Sequence, residues 1–119
     1  MTQLERFRET IATYRRHGWQ LRSVLMTSET HTAIDDETKT FVDAAAVRLA
    51  EFDAVWFERP SGADRTASEL RLISDAPYAL FELFEADEAE EDREDVRREM
   101  EARLREQIGG RQVERSDDT

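Results

Sequence analysis

Trp56 and Phe57 stand side by side in DAVWFERPSGADRTASELRLI, residues 53–73, and no other feature restricts the fold of this chain as much. Neighbouring residues of a β-strand point to opposite faces of its sheet. A strand over 54–59 therefore drives one bulky aromatic into each face, and both faces need cover. An antiparallel sheet with one wet face alternates apolar with polar residues. Residues 54–57 and 79–84 are instead apolar on both sides, with Leu80 and Phe84 on one and Phe81 and Leu83 on the other. Only 69–72 alternates cleanly, with Leu70 and Leu72 inward.

The elements around this pair follow from periodicity. Leu4, Phe7, Ile11 and Tyr14 form one stripe of an amphipathic helix over 3–17, which Gly18 ends. Residues 19–26 alternate Trp19, Leu21 and Leu25 against Gln20 and Arg22, as a strand does. Residues 27–38 open on a Thr/Ser cap and predict a short helix. Residues 40–52 fit a helical stripe of Phe41, Ala45, Leu49 and Phe52, or a loop with a short strand. The runs 54–59, 68–74 and 78–84 read as an antiparallel meander, turning at Pro60 and Gly62 and again at Asp75-Ala76-Pro77.

Residues 87–108 read as a long charged helix. Asp87 and Glu90 have capping-box spacing, acids crowd its start, and Arg97, Arg98, Arg103 and Arg105 follow, as the helix dipole favours. Glu94–Arg98, Glu99–Arg103 and Glu101–Arg105 lie four apart with the acid first. Val96, Met100, Leu104 and Ile108 make only a narrow apolar stripe. The expected fold is an α+β domain over 1–108. An antiparallel sheet of about four strands (19–26, 54–59, 68–74, 78–84) is joined by the N-terminal helix, a short middle helix or irregular crossover (28–52) and the charged helix. Gly109-Gly110 then leads into a disordered polar tail, 109–119.

Charge and composition exclude several function classes. The 119 residues carry 28 acids against 17 bases, a net charge of −11, which opposes docking on nucleic acid or anionic lipid. Lys39 is the one lysine, a skew that fits a GC-rich coding sequence or salt adaptation and assigns no function. There is no cysteine, so thiol catalysis and thiolate metal sites are excluded. No apolar run approaches the ~20 residues of a membrane helix, and the charged N-terminus is unlike a signal peptide. The expectation is a cytoplasmic protein.

Candidate chemistry is sparse. His31 and Asp35, four apart within ETHTAIDDE, could share a helical face as two metal ligands, but a site needs a third, so no metal site and no cofactor is expected. No nucleophile elbow, dinucleotide fingerprint or P-loop occurs. Arg59, Arg65 and Arg71 cluster around the hairpin with Glu58, Asp64 and Glu69, which suits surface ion pairing better than anion binding. Arg6, Arg8, Arg15, Arg16 and Arg22 outnumber Glu5 and Glu9 near the N-terminus, a patch suited to neutralising the acidic helix. The second sheet face is the open question, because the charged helix alone covers it thinly. The reading is a non-enzymatic module that binds a protein partner or itself, as a homodimer. The alternative is a ligand pocket between sheet and helix. The candidate residues for either role are Trp56, Phe57, Arg59, Arg71, Tyr78 and Phe81.

Overall fold

The computed structural model describes residues 1–42 and 46–117. It is an α+β fold in the order α1 (Gln3–Arg16), β1 (Gln20–Met26), α2 (Ser28–Ala33), α3 (Asp36–Val42), β2 (Ala46–Leu49), β3 (Ala54–Ser61), β4 (Arg65–Leu72), β5 (Tyr78–Phe84) and α4 (Glu90–Asp117). The chain divides into two compact units, Met1–Ala86 and Asp87–Thr119. Among the described residues, no helix is long and apolar enough to cross a membrane.

In the first unit the five strands lie in the order β2-β1-β3-β4-β5. β1, β3, β4 and β5 pair antiparallel, as the sequence implies. The fifth strand corrects the all-antiparallel expectation: β2 lies parallel to β1, with Val24 opposite Val47 and Met26 opposite Leu49. The chain returns to this parallel position through the short helices α2 and α3, a crossover that a parallel neighbour requires. Residues 46–49 therefore add to the sheet edge and make no helical stripe; Ala45 lies outside the described residues.

Local chemistry explains the first helix at both ends. The Thr2 hydroxyl accepts the Glu5 N–H at 3.1 Å and so caps the start of the helix. At the end, Gly18 takes φ +86°, a left-handed conformation that favours glycine. The Trp19 N–H then bonds the Tyr14 carbonyl at 3.0 Å and the Gly18 N–H bonds that of Arg15 at 3.1 Å. This Schellman closure folds Trp19 back against Tyr14, with ring centroids 6.0 Å apart.

On the first face of the sheet, Phe7 and Ile11 of α1 and Val42 of α3 pack with Val24, Met26, Val55, Phe57 and Ile73. The simple alternation read into β1 fails at Arg22. The pairing slips between Leu21, opposite Phe57, and Ser23, opposite Trp56, so Arg22 is an extra residue in a bulge. Val24 and Met26 thereby join the first face and Leu25 the second. Trp56, Leu70 and Phe84 on the second face are buried.

The hairpin between β3 and β4 is tighter than its glycine suggests. Pro60 and Ser61 belong to β3, opposite Thr66 and Arg65. β1 pairs with β3 only as far as Glu58, so Pro60 breaks no ladder on that side. The left-handed turn residues are Ala63 and Asp64, with φ of 62° and 61°, rather than Gly62.

The second unit is α4. It begins at Glu90, later than the expected residue 87, and runs to Asp117, beyond the expected stop at 108. Glycine ends a helix by adopting a left-handed φ, and among the described residues only Gly18 does so. The expected tail over 109–117 is thus helical, and 118–119 lie outside the described residues. Arg103 pairs with Glu99 at 3.9 Å as anticipated. Arg97 bonds both Glu90 and Glu94 at 2.8 Å, while Arg98 takes Asp95 at 3.1 Å instead of Glu94.

One carboxylate ties the first unit together. Asp53, just before β3, accepts the Thr27 N–H at 2.8 Å, the Thr30 hydroxyl at 2.7 Å and the Gln3 amide at 3.0 Å. Its backbone carbonyl accepts the Ile73 N–H at 2.9 Å. Asp53→Ala removes the acceptor for three donors, one each from α1, the cap of α2 and α2 itself, and is expected to lower stability by about 3 kcal/mol. Urea denaturation followed by far-UV circular dichroism checks this.

Candidate functional site

The α1 helix and α3 cover the β1–β3 side of the first face and leave its β4–β5 flank open. In the ladder, Phe57, Glu69 and Phe81 lie in one row across that face, and Val55, Arg71 and Ala79 in the next. Each row thus runs from buried to exposed. Phe57 is fully buried, Glu69 and Arg71 are half-buried, and Phe81 is 58% exposed.

Tyr14 occupies the border between core and flank. Its ring stacks on Phe57, with centroids 4.0 Å apart and planes 8° from parallel. Its hydroxyl donates to the Glu69 carboxylate, and an Arg71 N–H reaches that hydroxyl at 3.5 Å. Burial first, then the hydrogen bond from Tyr14 to Glu69 and the negative charge there, push the Tyr14 phenol up to about 12, against an opposing effect of Arg71. A cleft of about 360 Å³ opens beside this group, lined by Arg6, Thr10, Tyr14, Arg71 and Ser74 among others. The Nε of Arg71 is buried without a hydrogen-bond partner.

The six candidates from the sequence do not form one site. Arg71 and Phe81 lie in adjacent rows of the open flank. Phe57 lies on the same face but beneath Tyr14 in the core. Trp56 and Tyr78 point to the opposite face, Trp56 buried and Tyr78 half-buried. Arg59 is taken up structurally: it lies 4.7 Å above the Trp19 ring and donates to the His17 carbonyl at 3.1 Å, fixing the end of α1. Nothing in the sequence marks Tyr14 or Glu69 for a site. Tyr14 fits the apolar stripe of α1, and only the fold shows that its hydroxyl reaches a strand 55 residues away in sequence.

The remaining charged candidates are committed elsewhere. His31 and Asp35 fall on different elements, because Ile34 ends α2 and Asp35 precedes α3. An Asp35 carboxylate oxygen accepts the Thr38 N–H at 2.8 Å, and bonding by Thr38 holds this carboxyl below its ordinary range. No three His, Asp or Glu side chains gather as a metal site among the described residues. Arg8 serves α3, bonding Thr38 at 2.8 Å and lying 3.7 Å from both Asp35 and Glu37. Arg22 pairs with Glu58 at 3.3 Å and Arg65 with Glu85 at 3.0 Å. These hairpin pairs run to β1 and past β5, not between β3 and β4.

Comparison with protein families, with curated proteins and with solved structures finds no match to this chain.

The Tyr14 proton provides a handle on this region. A phenol raised from 10.0 to about 12 binds its proton more tightly in the folded chain. The stability it contributes is complete below pH 10 and is lost as pH rises through about 12. Between these pH values the wild-type chain should lose stability more steeply than Tyr14→Phe, as read by denaturation midpoints against pH.

Proposed function

We propose that this protein is a non-enzymatic interaction module that works by associating with a protein surface, its own included, through the open β4–β5 flank. The observation that carries the reading is Phe81, a large apolar side chain 58% exposed at the middle of an end strand of the sheet. Single exposed apolar residues are ordinary. An exposed aromatic on an unflanked strand is different, because the strand edge also presents backbone N–H and C=O groups to a partner. Ala79 is exposed beside it, and Leu83 is half-buried on the same face.

The acidic charge of the chain sets a condition on self-association. Two copies at −11 repel, so association should strengthen as salt screens them. Phe81→Glu places a charge at the centre of the flank while leaving the buried core untouched. Size-exclusion chromatography with light scattering should show an associated wild type at high micromolar concentration and a monomeric variant, with thermal midpoints within a few degrees of each other.

The cleft beside Tyr14 favours a second reading, a small carboxylate ligand held by Arg71 and Arg6. Two arginines among the residues lining one cleft support it, because a guanidinium is a planar partner for a carboxylate. Titration with acetate and benzoate, followed by NMR, should shift the Arg71 side-chain signal and the Tyr14 ring signals. Shifts that persist unchanged in Arg71→Leu rule out this role for the arginine.

A further inference from the structure

We propose that the cleft between α1 and the end of β4 takes a free α-amino acid, a zwitterion with an aliphatic side chain, in preference to a plain carboxylate. This rests on the reading of that cleft as a ligand site and adds the second charge of the ligand. At about 360 Å³ the cleft is at the small end of ligand pockets, which suits a molecule of this size. Its charged lining side chains are of both signs: Arg6 and Glu9 from α1, Arg71 from β4 and Asp75 from the turn that follows. Arg6 and Glu9 lie three apart on the helix and so share a face. Each wall therefore offers one guanidinium and one carboxylate. Met1 and Pro77 also line the cleft and are exposed, which gives an aliphatic side chain apolar surface to cover.

Opposite charges lining one cleft can neutralise each other by pairing; these do not. Among the described residues none of the four makes a salt bridge. Arg6 donates to the Gln3 amide oxygen at 3.2 Å, and Arg71 reaches the Tyr14 hydroxyl at 3.5 Å. The surrounding charge decides which ligand such a set favours. The chain carries −11, and Glu9 and Asp75 line the same cleft as the arginines, so a plain anion is opposed by the whole field and by the lining. A zwitterion has no net charge and escapes the long-range repulsion. Its carboxylate suits a guanidinium, and its ammonium donates charge-assisted hydrogen bonds to a carboxylate. The acids that penalise a carboxylate alone thus become binding groups for an amino acid.

Matched probes separate the two charges of the ligand. Valine carries both, isovalerate lacks its ammonium, and valinamide lacks its carboxylate. Each is titrated near neutral pH into the full chain, followed by NMR of the Arg71 side chain and the Thr10 amide. Valine is expected to bind about tenfold more tightly than either, the factor that one charge-assisted hydrogen bond supplies. The double variant Glu9→Gln, Asp75→Asn changes two exposed residues and is expected to bind valine no better than isovalerate. Isovalerate bound as tightly as valine, or a preference for valine that survives in the double variant, overturns the zwitterion and leaves the carboxylate reading standing. Valinamide bound as tightly as valine, or no shift with any probe, overturns both.

Discussion

The carboxylate of Asp53 is the joint on which the first unit turns. It takes three donors, from the start of α1, the strand-to-helix junction after β1 and the first turn of α2, while its main chain takes Ile73, the residue that follows β4. Each bond is ordinary alone, and leaving such donors without an acceptor is what costs free energy. Together they set where β3 begins relative to two helices and two strands. That in turn decides the face on which each residue of AVWF lands, because a one-residue slip inverts a strand. With Asp53 in place, Phe57 meets α1 and Trp56 meets the opposite side.

The same register produces the border at Tyr14. A helix of fourteen residues covers part of a five-stranded sheet, and the change from covered to open falls along β4. There the chain places Glu69 and Arg71 instead of further apolar residues, and Tyr14 answers with an aromatic body toward Phe57 and a hydroxyl toward the charges. An amphipathic ring suits such a border because its two ends want different surroundings. Beyond it, the flank turns apolar again at Phe81. A polar row between a core and an exposed aromatic separates the two apolar regions, so Phe81 is a surface feature and no extension of the core.

Much of the fold was legible locally. The N-cap at Thr2, the glycine after α1 and the apolar alternation of β4 each act within a few residues, where side-chain and backbone chemistry dominate. The misreadings share the opposite character. β2 is only four residues long and exists because β1 offers it a parallel edge. The bulge at Arg22 is a property of pairing with β3 and not of the strand itself. α4 passes through Gly109 because glycine permits a left-handed stop without imposing one. At the candidate site, residue type alone points to Arg71 and Phe81, whereas Tyr14 and Glu69 emerge only from the geometry.

By itself the amino-acid order determined that a sheet here must be apolar on both faces, that α1 must bury one stripe, and that the hairpins must be antiparallel. Those outcomes follow from side-chain period and short connections, which need no distant partner. Only the tertiary structure decided which aromatic stayed exposed. Trp56, Phe57 and Phe81 are alike in apolar character, and their fates differ by their place across the sheet. Phe57 sits in a central strand beneath a helix, Trp56 on the buried opposite face, and Phe81 on an end strand that α1 does not reach. Cover depends on strand order, and strand order is set by contacts between residues far apart in the chain.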